Sequence, residues 1–163
     1  MDKVLKIQNL IRESKNIVFL SGAGISTNSG LPDFRSDNGF WKINKPIMFR
    51  DFLSSHEARQ LSWERNIALN ETIERIKPNT WHLFVKEVLD KKDGFIITQN
   101  IDGLHHRSGV NKNRIIEVHG NATKAKCLDC EKELSLKPCH NGVSNTKELP
   151  NCPTCVGLVP VAT

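Results

Sequence analysis

Cys127-Leu128-Asp129-Cys130 and Cys152-Pro153-Thr154-Cys155 are two Cys-x-x-Cys pairs separated by 21 residues. Four thiolates at this spacing suit one tetrahedral zinc ion with no open position, which makes the expected metal structural. Disulfides are the alternative, set against the lack of a secretion-type leader. Cys139 and the adjacent His140 are left over and read as surface or packing residues. A second group follows the apolar run Ile17-Val18-Phe19-Leu20, which reads as a buried parallel strand and leads into Gly22-Ala23-Gly24. Glycines there let the backbone approach a pyrophosphate, toward which the amides opening the next helical turn direct their positive ends. The usual dinucleotide fingerprint has a third glycine three residues on, but Thr27 stands there and the next glycine is Gly30. It is therefore not an ordinary dehydrogenase loop, and a glycine turn that serves packing alone stays open.

A third group lies beyond two later strand ends. Gln99, Asn100, Ile101 and Asp102 follow Phe95-Ile96-Ile97-Thr98, and His119 follows Ile115-Ile116-Glu117-Val118. In open α/β sheets ligands sit in the crevice outside the strands' carboxyl ends, where an imidazole can take a hydroxyl proton. For Asn100 and Asp102 a capped turn is the competing reading. His56, His82, His105, His106 and His140 read as surface or packing residues.

The elements that must position these groups follow from periodicity. Val4, Ile7, Leu10 and Ile11 predict an amphipathic helix over 3–14, and 55–70 also reads as helical. Residues 39–52 have no clear period and read as a loop-rich insertion. A helix is predicted from Pro78-Asn79, with Asn79 as N-cap and Gly94 as its end. Strands alternating with helices predict an α/β fold, a partial Rossmann-like parallel sheet with an inserted four-cysteine zinc-ribbon module. The expected division is residues 1–120 for the sheet part and 121–163 for the zinc module and chain end. At 38% hydrophobic and 25% charged, the 163 residues have the balance of a globular domain. No stretch approaches the roughly 18 apolar residues of a membrane span, so no membrane is expected and an intracellular, cytoplasmic setting is the default. Net charge is +5, but the basic residues are scattered. Residues 121–163 hold five lysines against four acids and no aromatic residue, which argues against a ribbon that binds nucleic acid.

In order, Gly22–Ser36 with Pro32-Asp33-Phe34-Arg35, then Thr98–His105 with Gln99-Asn100-Ile101-Asp102, then Glu117-Val118-His119-Gly120, then the two cysteine pairs resemble the sirtuin family of NAD-dependent protein deacylases. The likeness runs from about Ile17 to Leu158. It implies NAD as co-substrate, one structural zinc on Cys127, Cys130, Cys152 and Cys155, and an acyl-lysine protein or peptide as substrate. By the same likeness His119 is the catalytic base. Asn100 contacts the nicotinamide ribose region and Asp102 holds the nicotinamide carboxamide. Gly22, Ala23, Gly24, Gln99 and Ile101 belong to the cofactor-binding motifs, and Asp33, Phe34 and Arg35 to the loop that closes over the cofactor, with packing a competing role for Phe34. The implied reaction transfers the acyl group to ADP-ribose and releases nicotinamide.

The chain has no tyrosine, whereas desuccinylating members of the family use a Tyr-x-x-Arg pair, so deacetylation is the expected label. Lys45-Pro46-Ile47, Asp51-Phe52-Leu53, Arg59 and Trp63-Glu64-Arg65-Asn66 resemble the class of the mitochondrial lipoamidase and ADP-ribosyltransferase member. Family members continue past the second cysteine pair through Gly-Leu-Val-Arg-Pro. Here Gly157-Leu158-Val159 runs straight into Pro160 without the arginine, and the sequence stops at Thr163. The reading is a C-terminally truncated sirtuin, with an inactive remnant or binding-only fragment as the alternative. The lone chain is expected to bind NAD weakly and to show no turnover.

Overall fold

The computed structural model describes residues 2–34, 36–37 and 39–162, leaving the side chains of Trp41 and Ile43 undescribed. Helix α1 (Lys3–Glu13) is capped by the Asp2 carboxylate, which accepts from the Val4 amide at 3.1 Å. Its apolar stripe does not find a core: Val4, Leu5, Ile7 and Leu10 are exposed. Strand β1 (Asn16–Ser21) follows and passes into a 3₁₀ turn at Ala23–Ser29. The stretch expected to be loop-rich instead holds two short helices, α2 (Phe40–Ile43) and α3 (Phe49–Ser54). The mixed apolar spacing there reflects single turns, too short to show a period.

Helix α4 (His56–Arg75) starts at Ser55, whose hydroxyl accepts from the Ala58 amide at 3.1 Å. Helix α5 (Thr80–Lys91) starts at Asn79, and strand β2 (Asp93–Thr98) follows it almost at once. Asn79 caps α5 by accepting from the Trp81 amide at 2.9 Å, and its Nδ2 donates to Ile25 O and Ser29 Oγ at 2.8 and 2.9 Å. One side chain thus ends the glycine turn and begins the helix behind it. Gly94 does not end α5, as expected from sequence, but lies inside β2 opposite Ile17. Its φ of +153° and a Cβ position only 1.8 Å from Ile17 O leave room for glycine alone.

Short helix α6 (Leu104–Arg107) leads to strand β3 (Ile115–Glu117), and the three strands form a parallel sheet in the order β1-β2-β3. Side chains alternate between its faces. One set, including Phe19, Ile96 and Ile115, packs on Val85 and Leu89 of α5 and on Val110. The opposite set, headed by Val18, Leu20 and Phe95, is exposed.

A second sheet, antiparallel, has the order β5-β4-β6, with β4 at Asn121–Lys126, β5 at Glu133–Leu134 and β6 at Val161–Ala162. Helix α7 (Leu136–Thr146) occupies the interval between the cysteine pairs; neither it nor this sheet follows from the periodicity of the sequence. Trp63, Asn66, Asn70 and Ile73 line the buried side of α4. Trp63 Nε1 donates to Val159 O at 3.1 Å, and Asn66 and Asn70 both donate to Ala122 O at 2.9 Å. Trp63 shares a core with Ala122, Ala125, Val143, Cys127 and Cys152, so α4 joins the cysteine region to the rest.

Candidate active site

The glycine turn places Ser26 at its inner side, 1% exposed. The Ser26 hydroxyl donates to Asp102 Oδ2 at 2.6 Å and accepts from Asn100 Nδ2 at 3.1 Å. The other carboxylate oxygen of Asp102 accepts from the Leu104 amide at 2.9 Å, and the Asn100 amide donates to Thr98 Oγ1 at 3.0 Å. Both side chains that follow β2 are therefore buried and fixed in direction. The capped turn is real, but it leaves Asn100 Oδ1 buried with no hydrogen-bond partner among the described residues. An orphaned buried acceptor costs about 1–3 kcal/mol, and it stands where a bound donor would relieve that cost.

Behind them lie two histidines that the sequence had assigned to packing or surface. His82 and His105 are almost wholly buried, with ring centroids 4.9 Å apart. His82 Nε2 is 3.5 Å from Ser26 Oγ, and His105 Nε2 is 3.0 Å from Ser21 Oγ. Burial pushes His105 down to about 4, the neighbouring His82 adds to this, and Asp102 opposes it. Burial lowers His82 too, again against the pull of Asp102. Both rings are thus neutral near pH 7 and act as hydrogen-bonding supports of the serines. Ser26, His82 and His105 had one signal in the sequence: they sit within or beside the motifs that carry Gly24, Asn79 and Asp102.

His119 stands two residues beyond β3 and is exposed. The Val118 amide donates to Thr98 O at 3.0 Å, and Gly120 takes a φ of +71° at the turn. Glu117 steadies this turn from below: its Oε1 accepts from Asn121 Nδ2 at 2.7 Å and lies 3.2 Å from His106 Nε2.

These groups open on one cleft of about 680 Å³. Of the residues expected from sequence, Ala23, Asp33, Phe34, Gln99, Asn100, Ile101, Asp102 and His119 line it. Gly22 and Gly24 do not line it and instead shape the turn from which Ala23 and Ser26 project. Phe34 also packs edge-on against Phe40, with ring centroids 6.3 Å apart. Arg35 lies outside the described residues. Leu31, Ile47, Leu69, Ile73 and Val161 supply apolar wall, the mix of apolar lining and a few aimed polar groups that small-ligand sites share.

The four paired cysteines form a separate cluster, their Sγ atoms all within 4.8 Å of one another, and none lines the cleft. Cys127 and Cys155 Sγ are 3.5 Å apart, and Cys130 and Cys152 Sγ 3.6 Å. Tetrahedral zinc with bonds of about 2.3 Å needs sulfurs about 3.8 Å apart, whereas a disulfide needs about 2 Å. The donor set therefore fits zinc and not two bridges. The residue after each pair, Glu131 and Val156, has φ near +60°, so the two knuckles turn alike. At Gly157 a Cβ would sit 2.1 Å from Asp129 Oδ2 and 3.1 Å from Cys127 Sγ, which explains a glycine there. Amides of Thr154 and Cys155 hold the Cys152 thiol down to about 6. Cys155 is pushed up to about 12: the Gly157 backbone hydrogen bond opposes this, and the neighbouring Cys127 and Cys130 sulfurs outweigh it. Such unequal thiols are what four crowded sulfurs give before a cation lets all of them ionise. Cys139 is buried in α7, bonds Ser135 O and is not part of the cluster.

Among the described residues no helix is long and apolar enough to cross a membrane. The sequence profile of the Sir2 family matches residues 22–161. An NAD-dependent protein deacetylase of Rhodopseudomonas palustris is 38% identical over 161 residues, covering 98% of this chain and 64% of its own length. A solved Sir2 homologue in complex with NAD superposes with a TM-score of 0.80 at 28% identity, over 99% of this chain and 60% of that one. Sir2Tm bound to a propionylated peptide gives a TM-score of 0.74 at 32% identity, over 99% and 64%. The chain thus spans somewhat less than two thirds of the length of the curated relatives it matches. A family profile that matches residues 22–161, most of the chain, shows that the chain belongs to the Sir2 family.

Proposed function

We propose that the cleft takes the nicotinamide-ribose end of NAD and that the site belongs to a protein lysine deacylase that transfers the acyl group to ADP-ribose. The observation that carries this is the convergence of Asn100, Asp102 and His119 on one cleft, with Asp102 locked by Ser26. NAD supplies an activated glycosidic bond whose cleavage leaves an electrophilic ribose. Asp102, fixed through both oxygens, would accept from the nicotinamide carboxamide. Asn100 Oδ1, buried without a partner among the described residues, would accept from a ribose hydroxyl or a water. His119 would remove a ribose hydroxyl proton, a general-base contribution of about 10²–10⁴ in rate. Ala23 and the turn amides would face the pyrophosphate, and Asp33, Phe34 and Arg35 the same ligand from the closing loop. Zinc on Cys127, Cys130, Cys152 and Cys155 would hold the two knuckles together and take no part in the chemistry. The division at residue 120 into an NAD part and a zinc module, and a cytoplasmic setting, belong to the same reading.

The test is a chimera in which residues 1–162 are continued by the C-terminal third of the Rhodopseudomonas palustris relative. Nicotinamide release that depends on an acetyl-lysine peptide is expected, falling about 10²-fold or more in His119→Ala with NAD binding kept. Turnover unchanged by that substitution would remove His119 from the role of base.

A further inference from the structure

We propose that His140 is a positioning residue for the cleft: it carries the hold that the four-cysteine cluster has on α7 through Asn66 and Ala122 to the Asn100-Ile101-Asp102 turn. With that turn read as the nicotinamide-ribose site, on which this proposal builds, zinc at the knuckles and NAD in the cleft are coupled although no cysteine lines the cleft.

The route is a run of hydrogen bonds. His140 Nε2 is 2.7 Å from Asn66 Oδ1, Asn66 Nδ2 donates to Ala122 O at 2.9 Å, and the Ala122 amide donates to Ile101 O at 2.8 Å. Asn66, Ala122 and Ile101 all line the cleft, and the first two are buried. The donation to Ala122 O fixes which way the Asn66 amide faces. Its oxygen is therefore what His140 meets, and His140 Nε2 must carry the proton. Burial lowers His140 below its ordinary value against the pull of Glu74 and Glu71, so the ring is neutral near pH 7 and is the Nε2–H tautomer. A side-chain amide that accepts at one end and donates at the other is polarised by both bonds, and each strengthens the other.

Helix α7 depends on its surroundings to keep His140 in place. It has 11 residues, with Pro138 and Gly142 inside it, and a helix of that length is marginal in isolation even without them. One support is α4, on which Cys139 and Val143 pack, with the His140 ring edge-on to Trp63 at a centroid distance of 6.0 Å. The other is the pair of knuckles, which close the 21-residue interval that contains α7. Opening the cluster frees that interval, and the bond from His140 to Asn66 is where the cleft wall feels it.

The experiment follows the Asn66 side-chain amide and the backbone amides of Asn100, Ile101 and Asp102 by NMR in the zinc-loaded 163-residue chain. His140→Phe keeps a ring against Trp63 but loses the donor, whereas His140→Gln keeps an Nε2 donor but loses the ring. The Asn66 and turn signals should move in His140→Phe and stay near wild type in His140→Gln. Asn141→Ala, at an exposed position on α7, should move neither. Zinc affinity, read by competition with a chelator, should fall about 5-fold in His140→Phe, the scale of one lost hydrogen bond, and recover in His140→Gln. Chelating the wild-type chain should move the same signals, which carries the test should His140→Phe not fold by circular dichroism. Signals that follow the ring and not the donor, or shifts that stop at Asn66 without reaching Ile101 and Asp102, would overturn the proposal. So would an unchanged zinc affinity in His140→Phe, or turn signals that ignore chelation. None of these readouts requires NAD to bind, so a failure of the nicotinamide-ribose reading is told apart from a failure of this one.

Discussion

Replacing Ser26 by alanine removes one hydroxyl and disturbs two neighbours. Its donation to Asp102 at 2.6 Å is a short, charge-assisted bond, and its acceptance from Asn100 at 3.1 Å satisfies a buried amide. Loss of a hydrogen bond to a charged group costs about 1.5–3 kcal/mol. The stranded Asn100 donor adds to this, while relaxation or a water entering the cleft offsets part of it. A destabilisation of about 2–3 kcal/mol is expected, a large share of the roughly 5–15 kcal/mol that a domain has. Thr27→Ala is the internal reference, since its hydroxyl makes only an exposed bond to Gly24 O and should cost no more than about 0.5 kcal/mol. Urea unfolding at pH 7 of wild type, Ser26→Ala, Asp102→Asn and the double variant would close a cycle. The coupling between the two sites should be about 1.5–3 kcal/mol. A Ser26→Ala cost no larger than that of Thr27→Ala, or no coupling to Asp102, would refute the reading of Ser26 as the holder of the carboxylate.

The purified, reduced chain should carry about one zinc, bound with an apparent 10–16 kcal/mol or so, and less than about 0.2 zinc per folded chain would contradict the four-thiolate assignment. Because Cys127 and Cys152 share a core with Trp63, chelation should also alter tryptophan fluorescence, with Trp63→Phe abolishing most of the change. His105 contributes stability that is fully present above its unfolded value of about 6.5 and lost as pH falls toward about 4. The loss should be about 3 kcal/mol, seen as a falling urea midpoint, with His82 acting in the same direction. Zinc release in acid adds its own slope, so the check is the difference from His105→Asn, which should be flatter between pH 6.5 and 4.5; an equal slope would contradict the burial argument.

Much of the scaffold was legible in the sequence because its signals were local. The apolar runs gave β1, β2 and β3 nearly in place, and Asn79 announced the start of α5. The cysteine spacing announced a cluster that the sulfur distances fit. The second sheet was not legible, because β5 and β6 are two residues long and β4 reads Asn-Ala-Thr-Lys-Ala-Lys, with small buried alanines where a strand usually shows large apolar residues. Helix α7 was hidden by Pro138 and Gly142 inside it. Gly94 misled as a helix stop because the same residue type serves a close strand contact. In the site, Asn100, Asp102 and His119 stood out from their places after strands. Ser26, His82 and His105 did not, since a buried polar network depends on side chains 23 to 79 residues apart meeting behind the turn, which no single-sequence pattern records.

An amide-resolved NMR titration of the zinc-loaded chain with NAD tests most directly whether this cleft is a nicotinamide-ribose site. Even at weak affinity, shifts are expected at Ala23, Asn100, Asp102 and Gly120, lost in Asp102→Ala, with the amides from Cys127 to Cys155 left in place. Absence of shifts at millimolar NAD, or shifts centred on the cysteine knuckles, would contradict it.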